Sequence, residues 1–269
     1  MLPIRKTEKR LICRPVGRCI YCGATDNLSM EHVAPYALGG TMELPEASCP
    51  TCARITSLFE MKVARDMMLA PRTKFGAPTR NPKNRPKTLA LEVRKGDRSE
   101  KIELSVEDHP GSFALPELQE PPRYLAGLEG LHRLPSTISF RVFHPSDLKE
   151  RIPAEADQAM VGRVEVTAYF RMIAKIAHAF AIATRGHGSF DPLLLPLILG
   201  ETKIWVDVIG SPQRAMPGNE KGEFSIQTLT LRTARAAFLA CDVTIFPVWN
   251  GPSYRVVVGR LPLLAPLEG

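Results

Sequence analysis

The sequence predicts an α+β protein, with a small cysteine-bound module at the N-terminus and a larger mixed α+β domain behind it. Three observations lead there. Two Cys-x-x-Cys pairs, Cys19/Cys22 and Cys49/Cys52, bracket a short strand-and-loop stretch. Val164 to Arg185 has helical periodicity and is followed by Gly186, a residue suited to closing a helix. Several segments after residue 88 alternate apolar and polar side chains, as half-buried strands do.

In chain order, a basic arm with Arg5, Lys6, Lys9 and Arg10 comes first. Cys19-Ile-Tyr-Cys22-Gly23 is a tight turn, with glycine where the chain doubles back. Leu28, Met30 and Val33 suggest a strand ending near Pro35, and Gly39-Gly40 a loop. The second cysteine pair opens a helix whose apolar residues Ile55, Leu58, Phe59, Met61, Val63 and Met67 form one broad face, with Pro71 expected to end it. Residues 71–87 hold six basic residues, four prolines and no acid, so an extended surface path is expected. The domain boundary is placed there: 1–72 for the module and 73–269 for the α+β domain, which begins with the basic proline-rich segment 73–87.

Beyond it, Thr88–Arg94 and Lys101–Val106 alternate like two strands around a turn at Gly96-Asp97. An irregular proline-rich stretch is expected to about residue 135, then a strand over Thr137–Phe143. Ile204–Ile209, Thr228–Leu231, Val243–Pro247 and Tyr254–Gly259 are further strand candidates, and Leu231–Cys241 fits helix or strand. Arg171, Lys175 and His178 share one face of the long helix and are expected to face solvent, with contact to nucleic acid as the alternative. His187, between two glycines, is expected in a loop.

Composition narrows the class. A hydrophobic share of 44% and a charged share of 23% in 269 residues argue against disorder and allow a sizeable core. No uninterrupted apolar run is long enough to span a bilayer, and the charged start lacks a signal peptide's apolar stretch. A soluble, cytoplasmic protein without a membrane partner is expected. The net charge of +7 is concentrated: residues 1–100 hold 18 Lys/Arg against 10 Asp/Glu, a balance of 18 − 10 = +8. That concentration favours a polyanionic partner for the N-terminal third, though it also suits a solvated basic surface. Reduced thiols at paired spacing point to metal and not to disulfides. Cys13 and Cys241 stand outside the pairs and are expected to be ordinary buried residues.

The central stretch reads Cys19-x-x-Cys22, Glu31-His32-x-x-Pro35, Gly39-Gly40, Cys49-x-x-Cys52. Two cysteine pairs around an acid–histidine pair form a far more specific signal than either alone. Residues 19–65 resemble HNH endonucleases, of the subgroup in which four cysteines brace a ββα-metal, treble-clef-like unit. The resemblance implies a structural Zn²⁺ on Cys19, Cys22, Cys49 and Cys52, and His32 as the general base of phosphodiester hydrolysis. It further implies that Glu31, in the place of the usual aspartate, helps to hold a catalytic Mg²⁺ or Mn²⁺. The implied partner is nucleic acid, double-stranded DNA being the expected form.

Two signature positions depart from the family. No asparagine stands in Met42–Ser48, and Ala53 replaces the residue after the fourth cysteine. Glu60, two helical turns beyond Ala53, is the candidate to complete the divalent-ion site, with Thr56 one turn beyond as the weaker donor. Arg72, Lys74, Arg80, Lys83, Arg85 and Lys87 are the candidate nucleic-acid contacts. Two alternatives stay open. The module could bind DNA without cutting it, with His32 a structural histidine, or it could be an adaptor for the C-terminal part.

Overall fold

A computed structural model describes residues 10–131, 138–154, 156–160, 162–212 and 222–262. Arg5, Lys6 and Lys9 of the expected arm, and Thr137 of an expected strand, lie outside the described residues. Strands β1 (Leu11–Ile12), β2 (Ser29–His32) and β3 (Met42–Ser48) make a small sheet in the order β1-β3-β2, with β1 parallel and β2 antiparallel to β3. Helix α1 (Pro50–Lys62) follows at once, with proline in its first turn, where a missing N–H costs nothing. The helix widens into a single π-type turn over Val63–Met67, then restarts as α2 (Leu69–Lys74). Pro71 therefore does not end the helix as expected. It lies within the first turn of α2, whose N–H groups have no partner inside the helix.

Residues 75–87 contain only a short 3-10 turn at Pro82–Asn84 and otherwise run irregularly, as their prolines dictate. The expected hairpin forms from β4 (Thr88–Lys95) and β5 (Arg98–Ser105), turning at Gly96 with φ +57°. The stretch expected to be irregular contains β6 (Phe113–Glu117) and the short α3 (Arg123–Ala126). Strand β7 (Ser139–Phe143) pairs with β6, and after α4 (Leu148–Arg151) the short β8 (Gln158–Ala159) pairs with β4.

Helix α5 (Val166–Arg185) is the spine of the molecule. It is buried on almost every side, with Ala168, Phe170, Met172, Ile173, Ile176 and Ala177 among its interior residues. A helix that is apolar all round needs cover on all sides. α1 packs on one flank, and on another lies the sheet that contains the last strands of the chain. By length and composition α5 matches a membrane span, but most of it is buried inside the protein. After it come β9 (Asp191–Pro192), α6 (Leu195–Leu199), β10 (Ile209–Gly210), β11 (Phe224–Arg232), β12 (Ala237–Ile245) and β13 (Ser253–Leu261). These strands form a sheet in the order β10-β13-β12-β11, with β9 on the edge of β13. Every residue of β12 is buried, and Arg255 neutralises the interior Asp242 through two 2.8 Å hydrogen bonds.

Leu231–Cys241, open between helix and strand, is the β11–β12 hairpin. Thr233 closes its turn by accepting the Ala236 N–H at its hydroxyl, 3.1 Å away. Most of the expected strand Ile204–Ile209 is a turn. Its Trp205 is buried and stacks on Phe170 at 4.0 Å. Buried residues from both sides of position 72 belong to one cluster, so the expected boundary does not separate two cores.

His178 on α5 donates from Nε2 to the Ile20 carbonyl at 2.8 Å, and burial lowers its pKa to about 4. The unfolded chain takes up that proton near pH 6.5, whereas the folded chain resists it until about pH 4. Stability from this group is therefore full above pH 6.5 and is lost as the pH falls towards 4. Urea unfolding should show a loss of roughly 2 kcal/mol between pH 6.5 and 5 from this residue. The pH slope should shrink in His178→Gln, and an unchanged slope would contradict the assignment.

Candidate functional site

The four paired cysteines converge. Their sulfur atoms all lie within 4.8 Å of one another. Cys19 and Cys22 flank a turn closed by the Gly23 N–H on the Cys19 carbonyl at 2.9 Å, with Gly23 at φ +79°. Cys49 caps α1 and Cys52 lies in its first turn, so β3 and α1 together present the second pair. Hydrogen bonding from the Cys52 backbone N–H contributes most to lowering the Cys49 thiol to about 7, which favours the thiolate a metal needs. Zn–S bonds of ~2.3 Å set tetrahedral S···S separations of roughly 3.8 Å, and Cys22 and Cys49 are already 3.6 Å apart. The cluster fits zinc. Four thiolates close the coordination sphere, so the ion would supply folding energy and no chemistry. Cys13 lies outside this cluster, and Cys241 is buried in the core.

His32 ends β2, directly across the ladder from Glu43 on β3. Its Nε2 is 3.2 Å from Glu43 Oε1, and Glu43 is only 3% exposed. Arg10 approaches the same carboxylate at 3.5 Å. The His32 side chain is 19% exposed and tilts against the Tyr36 ring at 5.8 Å. Burial lowers its pKa; Glu43 opposes that shift and Lys175 adds to it. A neutral imidazole near pH 7 is the result, the form a general base requires.

Glu31 and Glu60 also converge, but on a lysine. Lys175 of α5 places Nζ 2.6 Å from Glu31 Oε1 and 2.9 Å from Glu60 Oε1, and it donates to the His32 carbonyl. Burial disfavours its charge, yet the two carboxylates outweigh burial and push its pKa up to about 12. The Tyr21 hydroxyl is buried beside both acids, and its ring stacks on His178 at 5.9 Å. The charged stripe expected to face solvent therefore points inward. Lys175 and His178 are buried, and Arg171 lies over the Phe59 ring at 4.7 Å while donating to the Ile198 carbonyl. The physical reason is that α5 has no solvent face at this level, so its polar residues need partners in the hairpin and α1.

This corrects the expected divalent-ion site. The sequence places Glu31 and Glu60 together correctly in space, but an ammonium already neutralises one of the two charges from inside. The residues present do not fit a second metal ion there. Thr56 is buried in the same wall and bonds the Ala53 carbonyl, its own helix backbone.

A cleft of about 1030 Å³ opens above these groups. Glu31, His32 and Glu60 line it together with Arg65, Arg72, Arg80 and Arg85. The basic segment is thus folded over the acid–histidine pair. Its residues differ in role. Arg72 donates to the Ala64 and Pro78 carbonyls and Arg85 to those of Thr73 and Ala77, so both brace the wall. Arg80 is exposed and near enough to influence both His32 and Glu60. Lys74, a candidate phosphate contact, is turned away and donates to the carbonyls of Val106 and Glu107. Lys83 and Lys87 are exposed but outside the cleft lining, and His187 is an exposed loop residue. Sequence reasoning missed Glu43, Tyr21 and Arg65, and it gave Lys175 a solvent-facing place instead of this buried one. Only Lys175 left a signal, a charge amid the alanines and isoleucines of α5.

Replacing Cys52 with alanine should abolish stoichiometric zinc and cost more than about 4 kcal/mol of folding free energy. Metal analysis and denaturant unfolding check this; a variant that retains zinc and stability would exclude a four-cysteine site. Searches of protein-family models, curated proteins and solved structures returned no match to this chain.

Proposed function

We propose that this chain binds nucleic acid along the cleft and hydrolyses a phosphodiester there, with His32 as the general base that the HNH resemblance implies but without the catalytic divalent ion that goes with it. One observation carries the reading: the acid–histidine pair lines the same cleft as four arginines, on a hairpin beside which four cysteines converge. In this reaction the Arg80 and Arg65 guanidiniums hold the phosphate and stabilise charge that builds on its oxygens. His32 accepts a proton from water as the water oxygen bonds to phosphorus. The opposite P–O bond breaks, and solvent protonates the leaving oxygen. Glu43 fixes the ring and stabilises the imidazolium that forms, the part a carboxylate partner plays beside other catalytic histidines.

A second reading, binding without cutting, is favoured by the same lysine that pairs with both Glu31 and Glu60. Plasmid nicking decides between the two. The wild-type chain should nick, and His32→Ala should lose roughly 10²–10⁴-fold in rate while still binding DNA. Retained salt-sensitive binding with no nicking by either protein would leave the second reading standing. Arg80→Ala should weaken binding and reduce the slope of log affinity against log salt by about 0.9. An unchanged slope would remove Arg80 from the phosphate contacts.

A further inference from the structure

Lys175 is the charged group beneath the cleft to which the hydrolytic reading gives no role. Its ammonium has three protons and meets three oxygens, those of Glu31, Glu60 and the His32 carbonyl. The side chain is 0% exposed, so Lys175 itself cannot touch a phosphate in the cleft. It comes from the interior face of a twenty-residue helix packed on both flanks, which leaves its stem no route into solvent. Two carboxylates and a carbonyl around one cation are also the donor set a hard divalent ion takes. Such an ion needs oxygens at ~2.0–2.1 Å if it is Mg²⁺, nearer than the 2.6 and 2.9 Å seen here.

We propose that the Lys175 ammonium is the resident cation of this site, holding the place between Glu31 and Glu60 that a divalent ion would otherwise take. The cleft then engages nucleic acid without Mg²⁺ or Mn²⁺. The C-terminal part contributes this charge, so the site is complete only when α5 is docked against the cysteine-bound hairpin. The inference rests on the hydrolytic reading for its consequence in the cleft, while occupancy of the carboxylate pair is measured separately.

The full zinc-loaded chain, with zinc verified by metal analysis, is titrated with Mn²⁺ in resin-treated buffer and followed by electron paramagnetic resonance. Wild type should leave the free-ion signal unchanged, and so should Glu60→Gln, which keeps the Lys175–Glu31 pair. Lys175→Met should gain a bound Mn²⁺, which the double variant Lys175→Met/Glu60→Gln loses again. If Lys175→Met fails to fold, Lys175→Gln, which removes the charge but keeps polar contact with both carboxylates, takes its place with the same expected gain of Mn²⁺. Mn²⁺ captured by wild type and released by Glu31→Gln overturns the proposal, as does a folded Lys175→Met that captures none. Wild-type DNA affinity at constant ionic strength should change less than about twofold on adding Mg²⁺. Nicking that appears only with Mg²⁺ overturns the proposal as well. A plasmid uncut in either buffer removes the hydrolytic reading alone, because the Mn²⁺ titration still settles which cation the carboxylates hold.

Discussion

The contact between Lys175 and three oxygens of the cysteine-bound unit is the constraint on which the rest of this structure depends. It joins the most buried helix to the hairpin that carries the acid–histidine pair, and it does so with charge. Burying three ionised groups is costly, and such a cluster often adds little net stability compared with an apolar packing of the same volume. What it adds is register. Sliding α5 by one residue would turn Lys175 by about 100° and leave a lysine and two carboxylates unpaired in the interior. A hydrophobic helix face could tolerate such a slip; this arrangement cannot.

The same logic assigns the two ionic anchors different tasks. With a metal bound, the cysteine cluster would fix the Cys19–Cys22 turn to the junction of β3 and α1 at one end. Lys175 fixes the other end, where β2 and the second half of α1 meet. Between them the positions of Glu31, His32 and Glu60 are overdetermined. Glu43 adds a constraint from inside the hairpin itself, since cross-strand neighbours in register lie close enough for their side chains to meet. A carboxylate on the neighbouring strand thus reaches the His32 ring and orients it.

How much of this was legible in the sequence follows from the range of each interaction. The cysteine pairs, the acid–histidine pair and the β4–β5 hairpin are encoded by residues close in the chain, and all were legible. The long helix was legible from its periodicity, but its orientation was not. Arg171, Lys175 and His178 at i, i+4 and i+7 look like a solvent stripe because sequence gives the face and not what covers it. Their partners are remote; His178 and Ile20 are 158 positions apart. Pro71 was misplaced because a proline marks a helix boundary without saying which side of it the helix lies on. The β11–β12 turn was ambiguous because Arg-Thr-Ala-Arg-Ala-Ala has strong helical propensity, which nine-residue pairing on both sides overrides.

The charge balance of the cleft follows from the same placement. Read from sequence, Glu31 and Glu60 add two negative charges to the cleft. With Lys175 beneath them, the two carboxylates and the ammonium together carry a net charge of only −1. In the nucleic-acid reading proposed above, a phosphate backbone would then meet the arginines without strong repulsion from this pair. His32 benefits from the same cation. Lys175 favours its neutral form while Glu43 favours the protonated one, so the ring is poised between an ammonium behind it and a carboxylate across the ladder. A base that must accept a proton and release it again works best under such opposed influences, since neither protonation state is held too tightly.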